Sequence, residues 1–254
     1  FVFLCEVFGA SICLPYAVYV SSVYLPWISL FVILSFFAGL IIGKILKIEN
    51  RLAFLISSGA AICGGTAMAA IAPIIKAKPQ ELLIALTIVF LLNAIAIILF
   101  PIAGNYLEMS DFEFGAWSAL AIHDTSSVIG AASIYSNESA QVAATLKLGR
   151  TIWLIPLILL TNWVFNKNLE AAQFPRFIIF FILAILINTF LNFNEITLSA
   201  LQIISQSFLM FGLFCIGSQF NSDQLTSISS KPLMLALLLW MAVIPSAYFL
   251  VKYF

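Results

Sequence analysis

Few residues in this chain could do chemistry, and they sit close together. The only histidine, His123, is joined directly to Asp124 within "ALAIHDTSSVIGAA", residues 119–132. Everything around the pair is apolar or small. An ionised aspartate at mid-bilayer costs about 2.5–3.5 kcal/mol on insertion scales, so Asp124 needs a partner or water. Two candidate partners, Lys147 and Arg150, stand three apart in "AATLKLGRTIW" and so share one helical face. The plainer reading is that both cations snorkel to an interface and only anchor a span. For His123 the plainer reading is a neutral imidazole satisfied by hydrogen bonds.

A second polar stretch, "SSGAAICGGTAMAAIAP", carries Cys63, Gly64, Gly65 and Thr66. Gly64-Gly65-Thr66 can break a helix and leave free amides at the start of the half-helix that follows. Such an end attracts anions through unpaired N–H groups and partial positive charge. Close helix packing is the alternative role for the glycine pair. Thr125 and Ser126 occupy the corresponding place after Asp124. Asn93, inside the apolar "VFLLNAIAIILFP", adds one more buried polar group, a substrate contact or interhelical glue. Gln206 and Gln219 are weaker candidates of the same kind.

These residues must be positioned by membrane helices. Of 254 residues, 63% are hydrophobic and 9% charged, with a mean hydropathy of +1.13, too few charges to keep a soluble surface wet. Apolar runs long enough to cross a bilayer recur along the whole length, without the alternation of a membrane barrel. The expected fold is an all-α polytopic membrane protein, residues 1–254 forming a single transmembrane domain. About nine embedded segments are predicted: 1–20, 25–47, 51–76, 79–105, 112–136, 139–165, 174–192, 197–220 and 231–254. Pro26, Pro79, Pro175 and Pro232 are expected at segment starts; Pro101 and Pro156 are expected to end or kink helices. Zero net charge gives no basic surface for nucleic acid. The four cysteines lie apart in apolar stretches, with no metal-ligand or disulfide pattern. No cofactor or metal is expected. The chain starts at Phe1 inside an apolar run, so further membrane segments are expected upstream.

Segments 51–76 and 112–136 differ from the rest. Both are rich in Gly, Ala, Ser and Thr, and each precedes a helix with a late proline, a weak internal symmetry of the transporter kind. Loop charges bear on their course. Lys44, Lys47 and Arg51 precede the first segment and Lys76 and Lys78 follow it; Glu108, Asp111 and Glu113 precede the second and Glu138 follows it. If both segments dip in and return from opposite faces, the basic clusters share the cytoplasmic side. Broken helices that cross are the alternative.

The stretches "ICGGTAMAAIAP", "FGAWSALAIHDTSSVIGAA" and "AATLKLGR", in this order, resemble the YeiH-type sulfate exporter family of bacterial membrane proteins. The resemblance runs from about residue 30 to the C-terminus. It implies a multi-pass secondary carrier of the bacterial inner membrane, built of inverted repeats, with Cys63, Gly64, Gly65, Thr66, His123, Asp124, Lys147 and Arg150 at the matching motif positions. The expected function is alternating-access transport of a small inorganic or organic anion, such as sulfate or a related oxyanion. Cys63–Thr66, Asn93, Thr125, Ser126, Lys147 and Arg150 would bind it. His123 and Asp124 would couple transport to protons or sodium, because their protonation can differ between inward-open and outward-open states. The alternatives are an anion channel or passive pore and, behind these, an intramembrane hydrolase. An enzyme is not expected: His123 is the only available base, its neighbour Asp124 is poorly placed to orient it, and no Gly-x-Ser-x-Gly elbow is present.

Overall fold

The computed structural model describes residues 14–166 and 230–253, with isolated positions between 200 and 211. All of its regular elements among these residues are helices: α1 Leu14–Ile45, α2 Asn50–Ala61, α3 Gly65–Ile71, α4 Pro79–Tyr106, α5 Asp111–Ala121, α6 Thr125–Tyr135, α7 Asn137–Thr151, α8 Leu154–Asn166 and α9 Ser230–Lys252. Among the described residues, four stretches are long and apolar enough to cross a membrane: Tyr24–Ile45, Pro79–Tyr106, Asn137–Phe165 and Ser230–Lys252. Segment 174–192, Gln206, Gln219 and most of segments 1–20 and 197–220 lie outside the described residues.

Helix starts follow local chemistry. Pro79 opens α4, and Glu81 Oε2 accepts from the Lys78 amide at 2.7 Å. At α5, Ser110 Oγ accepts from the Glu113 amide at 3.3 Å and Glu113 Oε2 from the Ser110 amide at 2.8 Å. Ser136 caps α7 through the Ser139 amide at 3.0 Å.

Prolines depart from one expectation and meet another. Pro26 does not start a segment: α1 runs through it, as apolar membrane helices allow. Segment 139–165 is divided, α7 ending at Thr151 and α8 beginning at Leu154. Pro156 explains the division, because its ring clashes with the carbonyl four residues back, that of Ile152. The Ile155 amide bonds that carbonyl instead, in a tighter turn at 3.1 Å. Pro101 leaves α4 intact to Tyr106.

Both special segments are interrupted helices. The chain leaves α2 at Ile62 and re-enters helix at Gly65; it leaves α5 at Ile122 and re-enters at Thr125. The ends of each segment lie together. Arg51 Nη1 donates to the Lys76 carbonyl at 3.0 Å, and Lys78 Nζ lies 3.9 Å from Glu49 Oε1. At the other segment Ser139 Oγ donates to the Asp111 carbonyl at 2.7 Å, and the Tyr135 hydroxyl to the Met109 carbonyl. Lys252, ending α9, pairs with Glu113 at 3.1 Å, so α9 finishes at the same end as these acidic residues.

Candidate functional site

The two interruptions touch. Gly64 holds φ +61° and ψ −125°, backbone that only glycine adopts readily. A Cβ there would lie 3.2 Å from both Cα and Cβ of Asp124. Gly65 behaves differently: its missing Cβ faces the side-chain ends of Phe90 and Leu86 on α4, a packing contact. The Gly64 amide, expected to be open for a substrate, donates to the Gly59 carbonyl at 2.8 Å.

An interrupted helix leaves its last four carbonyls without intrahelical partners and carries partial negative charge there. Lys147 and Arg150 answer both needs. Each is fully buried, near the middle of the span Asn137–Phe165. Arg150 Nε donates to Ala61 O at 2.7 Å and Nη2 to Ala60 O at 2.7 Å, both on α2. Its Nη1 donates to Leu120 O and Ala119 O on α5, at 2.6 and 3.2 Å. One guanidinium thus joins the ends of both interrupted helices, and its carbon lies 5.7 Å from the centre of the Phe31 ring. Lys147 Nζ donates to Ile122 O at 2.6 Å and Ala119 O at 3.4 Å. Trp240 of α9, a residue with no sequence signal, donates its indole N–H to Ala121 O at 3.2 Å. Snorkelling is excluded by the burial.

The expected salt bridge from Asp124 to these cations is not formed. Both cations are held by backbone carbonyls, and Asp124 turns to the start of its own helix. As N-cap of α6, its Oδ2 accepts from the Ser127 amide at 3.3 Å and from the Ser126 and Ser127 hydroxyls. The carboxylate thereby offsets the partial positive charge of α6. Asp124→Asn keeps an oxygen able to cap, so its thermal stability should stay within about 1 kcal/mol of the parent, whereas Asp124→Leu should lose about 1–2 kcal/mol. Melting in detergent measures both. Equal losses would mean that the charge, and not the cap, holds the turn.

Some polar groups at the junction remain unengaged. The His123 amide donates to Asn93 Oδ1 at 3.3 Å, bringing α4 to the second interruption. Yet both ring nitrogens of His123, Nδ2 of Asn93 and the hydroxyl of Ser118 are buried without a hydrogen-bond partner among the described residues. The His123 ring lies 6.4 Å from that of Trp240, which stacks on Phe100. Cys63 and Thr125 are buried nearby in the chain, and Thr66 is partly exposed. Of the residues expected from the sequence, Gly64, Asn93, His123, Asp124, Ser126, Lys147 and Arg150 come together at the junction, with different duties. Lys147, Arg150 and Asp124 satisfy helix ends, while His123 and Asn93 keep donors in reserve.

Comparison with known proteins shows the family. A family model described as "Conserved hypothetical protein 698" matches residues 6–236. The chain belongs to this family, the UPF0324 membrane proteins. The YeiH-type proteins are the same family. A UPF0324 membrane protein of Bacteroides thetaiotaomicron is 43% identical over 219 residues, covering 84% of this chain and 66% of the relative. One from Shewanella oneidensis is 40% identical over 246 residues, covering 97% and 78%. Another from Porphyromonas gingivalis is 41% identical over 223 residues, covering 84% and 67%. The chain spans about two thirds of the length of several of these UPF0324 relatives. No solved structure matches.

Proposed function

We propose that this chain belongs to a multi-pass secondary carrier of the bacterial inner membrane that moves a small anion by alternating access. One observation carries the reading: two interrupted helices meet at Gly64 and Asp124, beside two fully buried cations. Irregular backbone at membrane depth is tolerated where it lines protein or a water-filled path, and interrupted helices meeting at the midplane are a carrier device. Two buried cations stand against one buried carboxylate, so the junction favours negative charge. Sulfate or a related oxyanion fits that balance. The free donors of Asn93 and His123 are the substrate contacts in this reading, with Thr66 and Thr125 beside them, and His123 and Asp124 answer to the coupling ion. No catalytic step is proposed.

The same reading treats segments 51–76 and 112–136 as re-entrant, within about nine embedded segments arranged as an inverted repeat. The meeting of Arg51 with Lys76, and of Asp111 with Ser139, supports it, since each segment ends beside its own start. The first approaches from the basic end and the second from the acidic end. Cysteines placed at Lys47 and Lys78 should both be shielded from an impermeant thiol reagent outside intact cells, and one at Glu108 should be labelled. Labelling at 78 but not at 47 would mean that segment 51–76 crosses.

Transport itself is tested with the full-length protein in proteoliposomes, using radiolabelled sulfate, sulfite and small carboxylates with and without proton or sodium gradients. Saturable uptake of at least one anion is expected. Non-saturable conductance would point to a pore instead, and no anion flux under any gradient would reject the proposal.

A further inference from the structure

The ends of both interrupted helices can be accounted for carbonyl by carbonyl. On α2, Ser58 O accepts from the Ile62 amide at 3.1 Å, Gly59 O from the Gly64 amide at 2.8 Å, and Ala60 O and Ala61 O from Arg150. Around the end of α5, Ala119 O accepts from Lys147 and Arg150, Leu120 O from Arg150, Ala121 O from Trp240, and Ile122 O from Lys147. No carbonyl from 58 to 61 or from 119 to 122 lacks a donor.

In carriers built from interrupted helices, such carbonyls at half-helix C-terminal ends are where sodium is held. A sodium ion supplies one positive charge to a cluster of oxygens pointing at one another. Lys147 and Arg150 supply two charges to the same kind of oxygens, from side chains of one helix. We infer that these two residues are tethered replacements for a coupling metal cation, so that the junction is assembled, and the carrier turns over, without sodium. The inference rests on the carrier reading for its transport arm only; its binding arm stands on the carbonyl geometry.

Lys147 is the informative position. Its ammonium engages Ile122 O and shares Ala119 O with Arg150, so Lys147→Met leaves an apolar stem of similar length beside Ile122 O, which has lost its charged donor, and Ala119 O, which keeps only Arg150. A metal cation of sodium's charge can then take that place. Melting of the full-length protein in detergent is compared in sodium chloride and choline chloride at equal ionic strength. The parent and Lys147→Arg should melt alike in both salts. Lys147→Met should melt lower in choline and be raised by sodium by about 3 °C or more, as binding to the folded state alone requires.

Sodium stabilisation of the parent overturns the inference, and so does a folded Lys147→Met indifferent to sodium. If Lys147→Met gives no folded protein, the parent and Lys147→Arg decide: stabilisation of either by sodium overturns the inference, and indifference of both supports it. In proteoliposomes, parent anion flux should not change when an inward sodium gradient replaces a choline gradient; acceleration by sodium overturns the inference. If no anion flux is seen, the carrier reading fails while the melting comparison still decides the binding arm.

Discussion

Arg150→Gln should cost about 3–5 kcal/mol and, in a protein of ordinary marginal stability, leave little folded material in detergent. Four charge-assisted hydrogen bonds to four carbonyls give way to at most two from an amide, and a net loss of two at about 1.5–3 kcal/mol each accounts for the figure. A glutamine amide cannot span from Ala60 and Ala61 to Ala119 and Leu120. Buried carbonyls would be left without donors on both interrupted helices. Arg150→Lys keeps the charge but loses the planar fork that reaches both helices, so it should fall between the two. Size-exclusion profiles and melting of the full-length protein measure the series. A Gln variant melting with the parent would mean that the carbonyls find donors elsewhere and that the guanidinium is not what joins the helices.

Gly64→Ala should be the most damaging single-methyl change in the junction. Its φ of +61° with ψ −125° is strained for any side chain, at about 1–3 kcal/mol, before the new Cβ meets Asp124. That contact, 3.2 Å to Cα and Cβ of Asp124, can be relieved only by moving the two interruptions apart. A loss of about 2–4 kcal/mol is expected, with the proposed anion flux abolished even where protein survives. Gly65→Ala is the matched control. Its Cβ would meet Phe90 Cζ at 2.9 Å and Leu86 Cδ2 at 3.2 Å, the far ends of side chains that can rotate aside. It should cost clearly less. The reverse ranking would show that α3 against α4, and not the contact between interruptions, sets the geometry.

The sequence discloses where the junction lies more readily than how it is held. His123-Asp124 and Gly64-Gly65 stand out because polar and small residues are unusual within apolar segments, and both interruptions fall there. The shared face of Lys147 and Arg150 is legible from their spacing. Their partners are not, because backbone carbonyls have no residue type: Ala60, Ala61, Ala119 and Leu120 look like ordinary packing residues. Charge alone therefore points these cations at Asp124, whereas the fold points them at carbonyls. The duty of Asp124 itself has a local signal. Asp followed by Thr-Ser-Ser is an N-cap pattern, easily masked by the charge of the residue that carries it. Trp240 has no such signal, since only the tertiary fold brings α9 to the end of α5. Pro156 announces an interruption, but the helix gives way about a turn earlier, where the displaced carbonyl lies.

The Arg150 contacts also bear on how the protein is made. The guanidinium lies 89 and 90 residues downstream of Ala61 and Ala60, the carbonyls it serves on α2. A chain emerging from the ribosome therefore places the first interrupted segment in the translocon well before its donor has been synthesised. Until then the end of α2 must borrow water or lipid headgroups, so the segment cannot settle at its final depth early. The same side chain completes α5, only 30 and 31 residues behind it. Both interruptions thus become committed in one late event, when α7 is delivered. Nascent chains arrested before Arg150 should leave the first interruption open to protease and thiol probes, and chains arrested after α8 should close it.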